Sequence, residues 1–356
     1  MRICVSPCII LFVRSASSTI NINRINNTTI TSVRIAGTKE RHESIRQHRD
    51  GPSNDTACNT VDTDSAKVHV SETMKLLATP LLEREKAKAF AVDSLSPRTF
   101  VDLLDAHKAL LFQSNEGSPA KRIDVEGFGD FLVSLKLEHY PYIGGAAPRT
   151  VIPVKAGDEI IFTANESPPD EPIPFHHELA QTPNPPEYVF FFCDVAPGVG
   201  GQTPIIDSTE VYRFAKENHP DFITKVMKHG ARYIRTLPAE DDPSSPIGRS
   251  YKNTWNVSSP EELEKKLSKK EGCSWEWFDD GSVRVTSEPV PAIRLVTDHA
   301  QNQVFQWTFA NSLVAAFLGW QDSRNDRLEA LRFGNNDPMP HDVLQSIEGH
   351  QRSDAA

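Results

Sequence analysis

Long apolar runs are missing from this sequence. No stretch approaches the ~20 residues that a membrane-spanning helix needs, so no membrane partner is expected. Cysteine is scarce: Cys4, Cys8, Cys58, Cys193 and Cys273 form no C-x-x-C pair, and their odd number excludes a closed disulfide framework. A reducing compartment follows, with the cytoplasm as the expected location. A basic excess is also absent. The net charge is −10, which argues against nucleic acid, a partner that calls for a basic face. No internal repeat is present either, which leaves out solenoids and propellers.

Acidic residues are missing from one region. Residues 1–39 carry Arg2, Arg14, Arg24, Arg34 and Lys39 and no Asp or Glu. This Arg-rich, Ser/Thr/Asn-rich start looks like a mitochondrial presequence, Ile9 to Val13 like a weak secretory core, and the whole also fits a disordered tail. The three readings stay open. Residues 1–70 are read as a disordered or targeting-like segment, because 15–70 are polar and without sustained period. An ordered domain is expected over 71–345, and a polar tail over 346–356.

What is present is mainly β. Ser96-Pro97 opens a helix, with Pro in the first helical position, and Ala109 to Phe112 follows as a short strand. VEGFGDFLVSLKL reads as a second helix, and two more run from Ser208 to His219 and from Asp221 to Gly230. EIIFTA, YVFFFCD, ARYIRTL, SWEWF, SVRVTS, AIRLVT and QVFQWTF are short, β-branched or aromatic, and separated by turn residues. Asp280-Gly281 supplies the turn of a hairpin between two of them. Many short strands with flanking helices point to a sandwich or jelly roll.

Within PFHHELAQ, His176 and Glu178 are two apart. In an extended segment they share a face, about 7 Å apart at Cα, and His177 points the other way. One imidazole and one carboxylate projecting together match two arms of a 2-His-1-carboxylate site. Alone, H-x-E is a weak signal, and a polar strand edge accounts for it equally well. Zinc hydrolysis is a poor reading, because no H-E-x-x-H accompanies it.

Longer stretches carry more weight. YIGGAAPRT (142–150), FTANESPPDEPIPFHHELAQ (162–181), GGQTPI (200–205), DDPSSPIGR (241–249) and NSLVAAFLGWQDSRND (311–326) resemble the clavaminate synthase-like branch of the TauD/TfdA superfamily of Fe(II)- and 2-oxoglutarate-dependent dioxygenases. The resemblance covers roughly residues 80–345. It implies a double-stranded β-helix, His176 and Glu178 as metal ligands, and Thr203 as a hydrogen-bond partner of 2-oxoglutarate. It also implies dioxygen as oxidant, succinate as co-product and a small-molecule substrate, hydroxylated or otherwise oxidised at a C–H bond. Asn165, Arg249, Trp307 and Asn311 fall in family-like segments as candidate substrate contacts. Arg249 also has Asp241 and Asp242 near it as pairing partners.

The pattern departs at the C-terminus. The family's distal histidine and the arginine that clamps 2-oxoglutarate have no counterpart after FGNNDPMPHDVLQSIE. The β-helix is therefore expected to be incomplete, its last strands missing. An inactive homologue that only binds a small molecule or partner stands as the alternative to an enzyme.

Overall fold

The fold rests on a computed structural model. It describes residues 9–14, 18–20, 28–33, 76–80, 90–92, 97–107, 109–113, 124–140, 142–157, 161–164, 166, 173–194, 205–298, 304–309 and 312–354. In chain order the elements are β1 (Ile9–Arg14), β2 (Ser18–Ile20), β3 (Thr28–Val33), β4 (Leu76–Pro80), β5 (Phe90–Val92), α1 (Pro97–His107), β6 (Ala109–Gln113) and α2 (Val125–Ser134). Next come β7 (Phe162–Thr163), β8 (Tyr188–Cys193), β9 (Ile205–Asp207), α3 (Ser208–Asn218), α4 (Pro220–His229), β10 (Ala231–Leu237), α5 (Tyr251–Trp255) and α6 (Pro260–Leu267). The chain continues with β11 (Ser274–Trp277), β12 (Val283–Thr286), β13 (Ile293–Asp298), β14 (Val304–Phe309), α7 (Ser312–Gly319), β15 (Leu331–Phe333) and α8 (His341–Asp354).

A seven-stranded sheet runs β5-β4-β6-β1-β8-β3-β7, and a four-stranded sheet runs β11-β12-β10-β15. Two ribbons, β13-β14 and β2-β9, complete the described strands. Each pairing whose register is given is antiparallel. The hairpin expected at Asp280-Gly281 joins β11 to β12. Gly281 takes φ 77°, which favours glycine, and the Asp280 carboxylate accepts from the Ser282 N–H at 2.9 Å.

β8 explains the first core. All six residues of YVFFFC are buried, as in a strand covered on both faces. Phe190 stacks on Phe100 of α1 at 6.0 Å, and Phe192 stacks on Phe128 of α2 at 4.9 Å. Phe190→Ala is expected to lower stability by about 3–5 kcal/mol, because the ring is fully buried and its neighbours are held by two helices. A urea-unfolding midpoint close to wild type would contradict that packing. A second cluster joins α3, α4, α7 and α8 to β10 and β15, and a third lies under α5, α6 and the β11-β12 hairpin.

Two expectations about the ends are corrected. The segment 1–70 contains three strands, not uniform disorder: β1 pairs with β6 and β8, β3 with β8 and β7, and β2 with β9. The polar composition of the segment hides two short β-branched or apolar runs, IILFVR and TTITSV, which suit a strand once β8 offers free backbone groups on both edges. Residues 346–354 are not a tail. They continue α8, where Ile347 is fully buried, Gln351 is buried, and His350 stacks on Phe214 at 4.1 Å. No helix among the described residues is long and apolar enough to cross a membrane.

Candidate metal centre

The segment holding His176 is not a regular strand, as the alternation argument assumed. Only His176 itself makes a bridge, and the chain turns at once from Glu178, with Leu179 at φ 51°. The alternation holds only in part over these few residues. Phe175 packs into the cluster around α3, and His177 Nε2 lies 3.1 Å from the Ser208 hydroxyl at the start of that helix. His176 and Glu178 meet each other, with Nε2 and Oε2 3.8 Å apart, and all three side chains border one cavity.

The orientation of His176 is fixed by its own backbone. Nδ1 sits 2.9 Å from the Pro174 carbonyl, which can only accept, so Nδ1 carries the proton and donates it. Nε2, on the other side of the ring, faces the Glu178 carboxylate. This is the arrangement that orients a metal-binding imidazole.

Glu178 is buried, which pushes its carboxyl up. The Arg149 guanidinium, followed by His176, outweighs burial and brings it down to about 2. Arg149 spans the site. Its Nη2 donates to both oxygens of Glu178 at 3.3 and 3.4 Å, Nη1 to the Thr163 carbonyl at 3.2 Å, and Nε to the Tyr142 hydroxyl at 2.8 Å. Burial brings the His177 imidazole down to about 3, with the charges of Arg294 and His176 acting in the same direction. His177 is therefore neutral near pH 7; it is buried against Ser208 and borders the same cavity.

The pair opens on a cavity of about 130 Å³ whose walls include Ala146, Pro174, Ile247, Ala316, Gly319 and Trp320. The residues present fit a divalent metal as a donor pair: one imidazole oriented through its Nδ1 and one ionised carboxylate, convergent and set by second partners. Among the described residues no group of three or more His, Cys, Asp or Glu converges on one point. His341 opens α8 and stacks on Phe317 at 5.2 Å, and His219 Nε2 meets the Ser346 hydroxyl at 2.9 Å.

The model of the taurine catabolism dioxygenase TauD, TfdA family matches residues 78–310. The chain belongs to this family. Within the TauD/TfdA family, a clavaminate synthase-like protein of Arabidopsis thaliana is 40% identical over 250 residues, which cover 69% of this chain and 71% of that protein.

The other expected contacts of this TauD/TfdA chain divide sharply. Thr203, Asn165 and Asn311 lie outside the described residues. Trp307 stands on β14 opposite Leu295, and its side chain also lies outside them. Arg249 is in place, but not as a partner of Asp241 or Asp242. Asp242 pairs with Arg324 at 2.7 Å, and Asp241 accepts from the Ser250 N–H and the Asn253 amide. Arg249 instead covers the Tyr142 ring at 4.8 Å and donates to the Asn253 carbonyl at 3.0 Å. Its Nε and Nη1 are buried without a partner among the described residues.

The sequence reading passes over Tyr142 and Arg149. The one available signal was a lone charge inside the small-residue run GGAAPRT, where a buried guanidinium has to find a partner. It does not say that the partner is Glu178, 29 residues on.

Proposed function

We propose that the chain is an Fe(II)- and 2-oxoglutarate-dependent oxygenase acting on a small-molecule substrate. One observation carries the reading: His176 Nε2, with Nδ1 held at the Pro174 carbonyl, faces the ionised Glu178 across 3.8 Å. Family membership supports the same assignment, and with it a double-stranded β-helix built from the antiparallel sheets. Held by His176 and Glu178, Fe(II) supplies the redox chemistry that couples decarboxylation of 2-oxoglutarate to oxidation of a C–H bond.

The protein's own part is positioning. Arg149 keeps Glu178 ionised and fixes its plane, and Tyr142 anchors Arg149 from the other side. The apolar walls around the pair keep water out. In this proposal Thr203 holds the far carboxylate of 2-oxoglutarate, and Asn165, Trp307 and Asn311 meet the substrate.

A binding-only protein is the second reading, favoured by the two converging donors among the described residues where the family chemistry uses three. Titration with Mn(II), an inert stand-in for Fe(II), and an assay of 2-oxoglutarate decarboxylation with Fe(II) separate the two. Metal binding with succinate release supports the oxygenase. Absence of release, with or without metal binding, overturns the oxygenase and supports the second reading.

A further inference from the structure

A second, larger cavity adjoins the metal cleft and shares Gln181 and Trp320 with it. Its volume is about 480 Å³, within the ~300–1,000 Å³ usual for ligand sites. The metal cleft, at about 130 Å³, has roughly the volume of four waters at ~30 Å³ each. A co-substrate-sized molecule fills the cleft, and a larger substrate needs the neighbouring chamber.

Arg235 of β10 lines that chamber and is only 7% exposed. Its bonds go to neutral groups, the Gly145 carbonyl at 3.4–3.5 Å and the Thr254 hydroxyl at 3.2 Å. No carboxylate lies within ion-pair distance of it among the described residues. Burial, followed by the charge of Arg249, pushes its guanidinium down to about 10, so it is still a cation at neutral pH. The face of Trp320, 5.6 Å away, offsets part of the charge.

Two further residues lining the chamber, Trp255 and His139, each bury a ring nitrogen (Nε1 and Nδ1) with no hydrogen-bond partner among the described residues. Native proteins rarely leave such groups unsatisfied, and when they do a ligand is one explanation. The other basic residue, Lys270, is already paired with Glu288 at 2.6 Å. Leu237, Val285, Ile143 and the indoles of Trp255 and Trp320 supply the apolar part of the wall, and Glu138, Thr182, Asn184 and Ser287 are among its polar residues.

We infer that this chamber binds a monocarboxylate with an apolar body, the carboxylate on Arg235 and the body against Trp255 and Leu237. Calling the ligand the substrate rests on the oxygenase reading; the binding itself does not. A purely structural Arg235 would tie the Gly145 loop to β10 and show no preference for a charged ligand, and this difference is the basis of the test.

The full chain is titrated in EDTA, so that no metal takes part, with 3-phenylpropionate and octanoate and with their neutral amides. Tryptophan fluorescence and calorimetry report binding. The acids are expected to bind about ten- to a hundredfold tighter than the amides, the range of a charge-assisted hydrogen bond. Arg235→Met is expected to erase that difference, and Arg235→Lys to restore part of it. Trp255→Ala is expected to weaken acids and amides alike, because both lay the same apolar body on that ring. Equal affinity for acid and amide overturns the proposal, as does an Arg235→Met protein that still prefers the acid or a wild-type chain that binds none of the four at millimolar concentrations. If Arg235→Met fails to fold, the acid–amide contrast in wild type decides. Failure of iron chemistry leaves these titrations unchanged, so the two readings fail separately.

Discussion

Arg149→Met is expected to cost about 3–5 kcal/mol of folding stability, the size seen when one partner of a buried ion pair is removed. Both side chains of the Arg149–Glu178 pair are 7% exposed. Without the guanidinium, Glu178 is a buried carboxylate left with His176 and the Tyr142 hydroxyl, and Tyr142 and Thr163 lose a donor each. The double variant Arg149→Met/Glu178→Gln is expected to recover a large part of the loss, because the uncompensated charge is gone. Urea unfolding of both variants checks this. A double variant as unstable as the single one would show that Arg149 acts through Tyr142 and Thr163 rather than through Glu178.

His176→Ala is expected to weaken Mn(II) binding by more than the ~10–100-fold that loss of an outer partner costs, and to bring 2-oxoglutarate decarboxylation down to the iron-free level. His176 is partly exposed and bonds only to Pro174 in its own segment, so the fold is expected to survive the change. His177→Ala provides the contrast. It removes a buried ring that packs beside Ser208, so it is expected to lower stability and leave metal affinity near wild type. Equal loss of metal binding in the two variants would contradict the assignment of His176 as the ligand and His177 as packing.

The hairpin at Asp280-Gly281, the buried strand YVFFFC and the helix pair after Ser208 appear where local sequence places them. Each is short-range: turn chemistry, continuous apolarity and capping act within a few residues. α6 carries an equally local signal, with Ser259 accepting from the Glu262 N–H ahead of the buried Leu263 and Leu267. β1 and β3 were hidden for a different reason. Their residues tolerate a strand, but only the free edges of β8 make one form.

The same division runs through the site. By itself the sequence determined that an imidazole and a carboxylate two residues apart leave the chain on one side, since alternation along an extended backbone is a local rule. Tertiary structure alone decided what those groups meet. Arg149 reaches Glu178 from 29 residues away, Ser208 meets His177 from 31, and Arg235 meets the Gly145 carbonyl from 90. The charge state of Glu178 and the uncompensated charge of Arg235 follow from those meetings. Burial and partner distance set the energy of an ionised group, and neither quantity exists until distant segments are packed together.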